Sequence, residues 1–484
     1  MKIRFSVSQL FVAMLVVSLI VMATREVLDA DFWWHLRTGQ WIIENHSIPH
    51  SDPFSYTLGG KAWTAHEWLA EILFYGIYRL GNLSLLALFF AGVIAASYLL
   101  VYFRSPGQPY IAGFATLLGA IASAPLWGVR PQMLTLLLFS LYIFLLERYF
   151  STEKLRYILP LPVLMIVWVN LHAGYILGLV AMGIFIAAKW LESILPDAWS
   201  PDGGRKPARG STLPVLGILA ASILAVIINP NGVRMFTYPF ETLSSKAMMA
   251  LIVEWFPPDF HAREWLPLAI LILLLLASGL LSRRRSSITE VALTAITAYA
   301  ALRSMRNVPL FTVVAIAVLS RHLDGIFTIN VNEAEPSRRM TVINLFILTA
   351  VVITGLTRMA SVLHDQKMAE RDYFPAAAVE WIKENKPPGN IFNTYGWGGY
   401  LIWQLYPDYK VYIDGRADMY GDAFMQDFLA IYNAQPGWKD KLQKSGVNLA
   451  LVEAGSPIAV ALEQDGGWKV AMRDNLSVLF SREK

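Results

Sequence analysis

The sequence predicts an α-helical polytopic membrane protein of about 11 transmembrane helices with a C-terminal extracytoplasmic α/β domain. Of its 484 residues 55% are hydrophobic and only 16% are charged, whereas an ordinary soluble domain has roughly 25% charged residues. The mean hydropathy is +0.46, and the apolar residues occur in long runs rather than in alternation. This composition excludes a disordered chain, a fibrous repeat and a conventional soluble enzyme.

Apolar runs divide the first three quarters of the chain into candidate membrane spans. A transmembrane helix needs about 20 mainly apolar residues, and shorter runs are tolerated inside a bundle. The first run is interpreted as a span rather than a signal peptide, because ten more follow and no clear cleavage site precedes Arg25. The predicted spans are 7–24, 83–103, 110–127, 131–150, 157–170, 173–191, 212–229, 265–281, 288–303, 307–320 and 340–358.

The Lys and Arg residues of the short loops predict the orientation of these spans. With eleven spans, all of the basic groups fall on one side, which we take to be the cytoplasmic side. We therefore expect the inner (cytoplasmic) membrane, a cytoplasmic N-terminus and an extracytoplasmic C-terminus. The basic groups are Lys2 and Arg4; Arg148, Lys154 and Arg156; Lys189, Arg205, Lys206 and Arg209; Arg283, Arg284 and Arg285; and Arg321, Arg338 and Arg339.

Two domains are predicted. Residues 1–364 form the transmembrane domain, which includes a long first external loop at 25–82, and residues 365–484 form the extracytoplasmic domain. Helices alternate with short strands in the second domain, and its last two strands are joined by a hairpin at Asp474-Asn475. Its predicted helices are 375–385, 424–432 and 458–463, and its predicted strands are 390–393, 410–413, 447–452, 468–472 and 477–480.

Charge and cysteine content limit the partners. A formal charge of +4 on a chain of this length does not indicate nucleic acid, so the expected partner is the lipid bilayer. The sequence has no cysteine. Disulfides, thiol catalysis and cysteine-ligated zinc are therefore excluded.

The first external loop holds the densest group of chemically active side chains. Asp29 and Asp31 are followed by Phe32-Trp33-Trp34 and His35. Such an acidic pair can share a divalent cation that bridges a diphosphate, or one carboxylate can act as a general base. A solvated helix end with an aromatic belt has the same pattern. Further along this loop, His66 and Glu67 are adjacent and make a poor metal pair, which favours a structural role.

Other polar residues fall on the same predicted face. Arg303 and Arg306 are spaced one helical turn apart and could either hold phosphate oxygens or anchor the membrane boundary. His172 follows a span, where helix capping competes with a site role. Glu254 lies in a long external loop directly after an apolar run.

Four segments in order resemble the catalytic subunits of oligosaccharyltransferases, which belong to the C-type (GT-C) membrane glycosyltransferases. The string Asp31-Phe-Trp-Trp-His35-Leu-Arg37 resembles their first external loop, and Ile252-Val253-Glu254 resembles an element of their long external loop. The segment that begins at Arg306 resembles their Arg-Phe segment, and Tyr395–Ile402 resembles the start of their external domain. The position of their acceptor-reading Asp holds Trp397 here, and no acidic pair matches their second loop.

This resemblance implies roles for particular residues. Asp31 takes the place of the catalytic acid, with Asp29 as a looser match, and Arg306, with Arg303, would meet the donor phosphate. Asp31 and Glu254 are also expected as ligands of a divalent cation, Mg²⁺ or Mn²⁺. Residues expected to line the acceptor side or the rest of the site are His35, Glu254, His172, Trp397 and Tyr400.

The favoured function is therefore transfer of a sugar or glycan from a polyprenyl-(di)phosphate donor to a glycan, lipid or protein acceptor, with inversion at the anomeric carbon. The donor lipid keeps its phosphate at the membrane interface, so the reacting groups must sit at outward-facing helix ends. The alternatives are a transporter of lipid-linked saccharide and a non-catalytic assembly protein in cell-surface polysaccharide synthesis. Transporters usually place ionisable groups near the bilayer midplane and show repeated halves, and neither feature is visible in this sequence.

Overall fold

The computed structural model describes residues 4–196, 208, 210–327 and 336–483, in which the chain is mainly helical with one small sheet. The basic residues predicted at 205, 206 and 209, and Lys2, lie outside these ranges. The helices are α1 (Val7–Ala23), α2 (Phe32–Asn45), α3 (Trp68–Arg104), α4 (Pro109–Ser123), α5 (Pro131–Thr152), α6 (Leu161–Leu171), α7 (Ile176–Ile194), α8 (Thr212–Ala225), α9 (Tyr238–Ser244), α10 (Lys246–Leu251), α11 (Leu266–Leu281), α12 (Ile288–Arg303), α13 (Val308–Ile326), α14 (Arg338–Tyr373), α15 (Ala376–Asn385), α16 (Gly398–Leu405), α17 (Ala417–Tyr420), α18 (Asp422–Tyr432), α19 (Trp438–Lys444) and α20 (Pro457–Glu463). The strands are β1 (Asn390–Asn393), β2 (Val447–Glu453), β3 (Trp468–Arg473) and β4 (Ser477–Arg482).

Every segment predicted as a membrane span contains a helix. Within the described ranges, seven helical stretches are long and apolar enough to cross a membrane. The remaining predicted spans contain α1, α6, α8 and α12, which have 17, 11, 14 and 16 residues. The apolar helical fold class with a small C-terminal sheet is therefore confirmed, while the count of eleven and the orientation stay predictions. The seven stretches are Trp68–Arg104, Pro109–Leu126, Pro131–Thr152, Ala173–Ile194, Arg263–Leu281, Met305–Ile326 and Arg338–Tyr373.

A break inside α3 marks where its apolar part begins. Gly81 has a φ of −161° and a ψ of 27°, and Asn82 has a φ of 55° and a ψ of −160°, so both are non-helical and two helices meet there. Asparagine tolerates positive φ better than most residues. The predicted span 83–103 begins directly after this break, and the helical part before it carries Glu71.

The described chain divides into two compact units. The helical unit comprises Met1–Arg25, Ala87–Phe236 and Val253–Val362, in their described parts. The sheet unit comprises Glu26–Leu86, Thr237–Ile252 and Leu363–Lys484. Most of the predicted first external loop therefore belongs to the same compact unit as the predicted C-terminal domain.

Helix α13 forms the centre of the helical unit. All residues from Val308 to Ser320 are buried, and the helix packs against α4, α11 and α12. Its approach to α4 depends on Gly119, where an added Cβ would lie 2.4 Å from the Ile316 side chain. A helix that is apolar on all faces is suited to this central position.

The sheet has the strand order β1-β2-β4-β3. β1 runs parallel to β2, whereas β2–β4 and β3–β4 are antiparallel. The predicted hairpin is present, with the Asp474 amide donating to the Ser477 carbonyl at 3.0 Å. The predicted strand at 410–413 is wrong, because only Val411 pairs there, in isolated bridges to Ser55 and Ile391.

Candidate active site

Asp29 and Asp31 lie at the start of α2 but have different hydrogen-bond partners. Asp29 Oδ1 accepts from the backbone N–H of Asp31 at 2.8 Å and of Phe32 at 3.3 Å. This carboxylate therefore satisfies amides that the first turn of a helix leaves unpaired. The half-buried Asp31 makes no side-chain cap, and its Oδ1 accepts from Trp34 Nε1 at 3.2 Å. The turn at residues 29–32, called the aspartate turn below, thus holds the Asp31 backbone in place. The Asp31 carboxylate is left to side-chain partners.

Two glycines allow other parts of the sheet unit to approach this turn. A Cβ added at Gly415 would lie 1.6 Å from Asp31 Oδ1. One added at Gly399, in α16, would lie 2.5 Å from the Ala30 carbonyl oxygen. No side chain larger than hydrogen fits at either position without movement, so backbone lies directly against the aspartate turn.

Tyr395 lies close to the same carboxylate. Its hydroxyl donates to the Gly415 carbonyl at 3.4 Å. Burial, and then the negative charges of Asp31, Asp414 and Asp418, hold the pKa of Tyr395 well above its ordinary value. The phenol therefore stays protonated and can donate a hydrogen bond.

His35 lies one helical turn after Asp31, between two buried glutamates. Its Nε2 is 3.4 Å from Glu67 Oε2, and its Nδ1 is 3.4 Å from Glu71 Oε1. His66 Nε2 contacts the other oxygen of Glu67 at 3.2 Å. Burial alone would lower the pKa of His35, but the hydrogen bond to Glu71 and the charge of Glu67 raise it overall. His35 is thus a hydrogen-bond and ion-pair partner of the two glutamates, one helical turn after Asp31.

The spacing of Glu67 and Glu71 is a sequence signal for the cluster of these two acids with His35, although the sequence does not show which residue lies between them. Glu67 and Glu71 are four residues apart, a spacing at which like charges on a helix repel each other. In the structure the His35 imidazole lies between these two acids. His35 was predicted as a site-lining residue, and the structure shows that its imidazole is occupied by this pair.

A buried arginine holds the segment that carries Gly415. The Nε and Nη2 atoms of Arg416 donate to the two oxygens of Asp414 at 2.7 and 2.6 Å, and Nη1 pairs with Asp52 at 2.8 Å. The guanidinium carbon also lies 4.7 Å from the centre of the Trp63 ring. Arg416 is 1% exposed, so this pairing compensates a desolvated charge.

The sequence alone does not reveal this ion-pair group. Asp52 belongs to a turn in the first external loop, and Asp414 lies more than 360 residues later. Nothing in the local pattern around Asp52 indicates a distant cation. The contact fixes the Asp414–Arg416 turn, and through it the backbone of Gly415 next to Asp31.

Trp397 and Tyr400 are buried in the packing of the sheet unit. Trp397 ends the 3-10 turn Tyr395–Trp397 and is 4% exposed. The Tyr400 hydroxyl donates to Glu370 at 3.0 Å, and its ring stacks on Phe374 at 4.9 Å. Burial raises the pKa of Tyr400, and the Glu370 charge raises it further. Their predicted role on the acceptor side stays a prediction.

Glu254 and Arg306 are close together in the helical unit. The Arg306 guanidinium lies over the Trp255 ring, 4.7 Å from its centre. The Ser304 hydroxyl donates to the Glu254 carbonyl at 2.9 Å, which ties the two segments together. The Glu254 carboxylate is paired with Arg130. Arg130 is not among the predicted site residues, and the structure adds it to this group.

The helical pairing of Arg303 with Arg306 is wrong. α12 ends at Arg303, and Ser304 is extended, with φ −150° and ψ 121°. Arg306 lies in the next element, the 3-10 turn Met305–Asn307. The two arginines therefore do not share one helical face, although each stays a predicted donor-binding residue.

His172 has the contacts of a helix cap. Its Nδ1 accepts from the Gly174 amide at 3.0 Å and is 2.8 Å from Thr135 Oγ1. Capping was the alternative interpretation of this residue, and these contacts agree with it. A site role for His172 stays a prediction.

The carboxylates expected to bind a cation have hard oxygen donors, which suit Mg²⁺ or Mn²⁺. In the part of the chain that the structure describes, no three His, Asp or Glu side chains form a metal-binding group. Glu254 belongs to the helical unit and is paired with Arg130, while Asp31 belongs to the sheet unit. A cation at Glu254 would have to compete with the arginine.

Comparison with known proteins decides the fold. No protein-family model and no curated protein matches the sequence. Among solved structures, the oligosaccharyltransferase AglB of Archaeoglobus fulgidus, bound to an inhibitory peptide and a dolichol-phosphate, is 12% identical with a TM-score of 0.57, over 98% of this chain and 74% of that chain. ArnT of Cupriavidus metallidurans, bound to undecaprenyl phosphate, is 14% identical with a TM-score of 0.50. This match covers 98% of this chain and 97% of that chain.

This chain has the GT-C fold. A third neighbour, the mycobacterial arabinofuranosyltransferase AftD, is 13% identical with a TM-score of 0.51, over 99% of this chain and 42% of that chain. A further structure of the Archaeoglobus enzyme, in complex with Zn and sulfate, has a TM-score of 0.51. At these identities the likeness establishes the GT-C architecture alone. The chemistry has to be inferred from the residues of this chain.

Proposed function

We propose that this protein is an integral-membrane glycosyltransferase that moves a sugar or glycan from a polyprenyl phosphate or diphosphate to an extracytoplasmic glycan, lipid or protein. The observation that carries the proposal is the aspartate turn, in which Asp29 binds backbone amides and Asp31 does not cap the helix. The GT-C neighbours that bind dolichol-phosphate and undecaprenyl phosphate support this donor class. We place the protein in the cytoplasmic membrane, with its N-terminus in the cytoplasm.

The proposed reaction inverts the anomeric carbon. The acceptor oxygen or nitrogen forms a bond to that carbon while Asp31 takes its proton. The bond from the anomeric carbon to the phosphate oxygen breaks on the opposite face, and its electron pair leaves with the lipid phosphate. Arg306 compensates the charge that develops on this phosphate.

A divalent cation is a further part of the proposal. Asp31 and Glu254 would be its ligands, and it would supply Lewis-acid stabilisation of the leaving phosphate. The Zn-bound structure of a GT-C neighbour is consistent with a cation. The steps assigned above to Asp31 and Arg306 do not depend on it.

Arg306 provides the experiment that tests the donor class. We expect Arg306→Ala to weaken binding of a polyprenyl-phosphate sugar to the purified protein in nanodiscs, because it loses a guanidinium that can bind phosphate in a bidentate manner. Arg306→Lys should restore binding only in part, since an ammonium is a point charge. Arg263→Ala, which removes an exposed arginine of the same unit, is the matched control.

Equal donor affinity of wild type and Arg306→Ala would remove the donor-binding role. A protein that binds donor but transports it without transfer in proteoliposomes would support the transporter alternative. Normal polysaccharide assembly in cells with Asp31→Asn would support the non-catalytic assembly protein.

A further inference from the structure

A cavity in the helical unit lies among the ends of five helices. Its volume is about 600 Å³, which falls in the range of pockets that bind small molecules. It is lined by the C-terminal ends of α3, α5, α7 and α13 and by the start of α12. Arg321, which lines it, is 15 residues after Arg306, roughly 22 Å along a helix. The cavity is therefore separate from the proposed donor-binding arginine.

The charged side chains that line this cavity are balanced. Arg104 pairs with Glu147 at 2.5 Å, Arg321 with Glu290 at 2.9 Å, and Lys189 with Glu192 at 2.7 Å. Arg148 and Glu153, which are exposed, add one charge of each sign. A free anion would favour an excess of positive charge, whereas this lining offers cations and carboxylates equally.

Several of these groups remain accessible although they are paired. The Glu147 side chain is 36% exposed and that of Arg321 is 28% exposed. An accessible carboxylate and an accessible guanidinium in one cavity can bind an ammonium group and a phosphate of the same ligand. Charge-assisted hydrogen bonds of this kind are stronger than neutral ones.

Aromatic side chains form another part of the wall. Phe103, Phe144, Phe150 and Phe185 line the cavity together with the charged groups. Phe103 is 60% exposed, so the lining includes accessible apolar surface. A small soluble zwitterion has no apolar part to bury against these phenylalanines, whereas a lipid would place its glycerol and chains on them.

We infer that this cavity is a binding site for the head group of a zwitterionic phospholipid with a primary ammonium, such as phosphatidylethanolamine. The phosphate binds Arg321 and its basic neighbours, and the ammonium donates hydrogen bonds to Glu147 and Glu290. Phosphatidylcholine fits less well because its quaternary ammonium has no N–H group to donate. Phosphatidylglycerol fits less well because it has no cation for the carboxylates.

Native mass spectrometry of the purified full chain tests this inference. The protein is incubated with equimolar phosphatidylethanolamine, phosphatidylglycerol and phosphatidylcholine of identical chains, and the retained lipid is quantified. We expect phosphatidylethanolamine to dominate, and Arg321→Gln to lower its retention roughly tenfold, because a charge-assisted hydrogen bond is lost. Arg284→Gln is the matched control, since Arg284 pairs with Asp324 at 2.7 Å but does not line the cavity.

A second variant tests the same site without removing a charge. Ser151 is exposed at the cavity wall, so Ser151→Trp should fill the cavity and lower retention while the protein stays folded. Competition by soluble glycerophosphoethanolamine distinguishes the lipid from its free head group, and we expect it to be weak. Equal retention of the three lipids, a preference for phosphatidylglycerol, strong competition by the soluble head group, or unchanged retention in both Arg321→Gln and Ser151→Trp would overturn the inference.

Discussion

At the scale of single residues, Asp29 and Asp31 show how two neighbouring acids take different roles. Asp29 accepts from two backbone amides, and this turn sets the position from which the Asp31 carboxylate projects. The sequence could predict this pair as a candidate site, because two acids so close together can share a cation or supply a base, although a helix end with an aromatic belt has the same pattern. It could not predict which acid binds backbone, since that depends on the dihedral angles of the turn.

Gly415 provides a test of the space around Asp31. We expect Gly415→Ala to lower transfer about a hundredfold, because its Cβ would lie 1.6 Å from Asp31 Oδ1 and would displace the carboxylate from its position. The measurement is the turnover rate of the purified variant at saturating donor. Gly396→Ala is the matched control, because no atom lies within 4 Å of a Cβ at that position. If both variants were equally active, the backbone of Gly415 would have no part in positioning Asp31.

At the scale of elements, local patterns predicted the helices of the apolar runs, three helices of the C-terminal region and most of the strands, but not α2, α9, α10, α17 or α19. β1, β2, β3 and β4 all coincide with predicted strands, because their apolar and β-branched residues are typical of strands. α16 was missed, because the pair Gly398-Gly399 favours a loop. Its glycines are explained by distant contacts: a Cβ at Gly398 would lie 2.1 Å from the Ile413 carbonyl oxygen. Such close approaches cannot be deduced from sequence spacing.

The turn around Arg416 gives a prediction about stability. We expect Asp52→Asn to lower the free energy of unfolding by about 3 kcal/mol, because it leaves part of the charge of a fully buried guanidinium uncompensated. Thermal unfolding of the purified protein measures this as a lower Tm. Asp408→Asn, which changes an exposed acid of the same unit, should leave the Tm nearly unchanged. Equal Tm values for wild type and Asp52→Asn would contradict the stabilising role of this ion pair.

At the scale of the whole molecule, the prediction of one-sided basic loops can be tested directly. Reporter fusions at Gly203 and Gly466 should report the cytoplasm and the extracytoplasmic space, respectively. Gly203 lies outside the described residues, so its side is predicted from charge alone. If both fusions reported one compartment, the count of eleven spans or the predicted orientation would be wrong.

The GT-C architecture itself was predictable from the sequence, and the neighbours that share it confirm the fold class. The grouping of residues 26–86 with residues 363–484 in one compact unit was not predicted. It depends on contacts such as that between Asp52 and Arg416, which join segments far apart in the chain. Periodicity and composition carry no information about such pairs.

The proposed function depends on Asp31 as the base of a sugar transfer. The most direct measurement compares single-turnover transfer by purified Asp31→Asn and Asp29→Asn with that of wild type. Both changes keep the size of the side chain and remove its charge. We predict that Asp31→Asn binds lipid donor normally but loses at least about a hundredfold in transfer, as expected for a lost general base. Asp29→Asn should lose less, since an amide oxygen can still accept from the Asp31 and Phe32 amides. Transfer by Asp31→Asn at a rate near that of wild type would contradict the proposed mechanism.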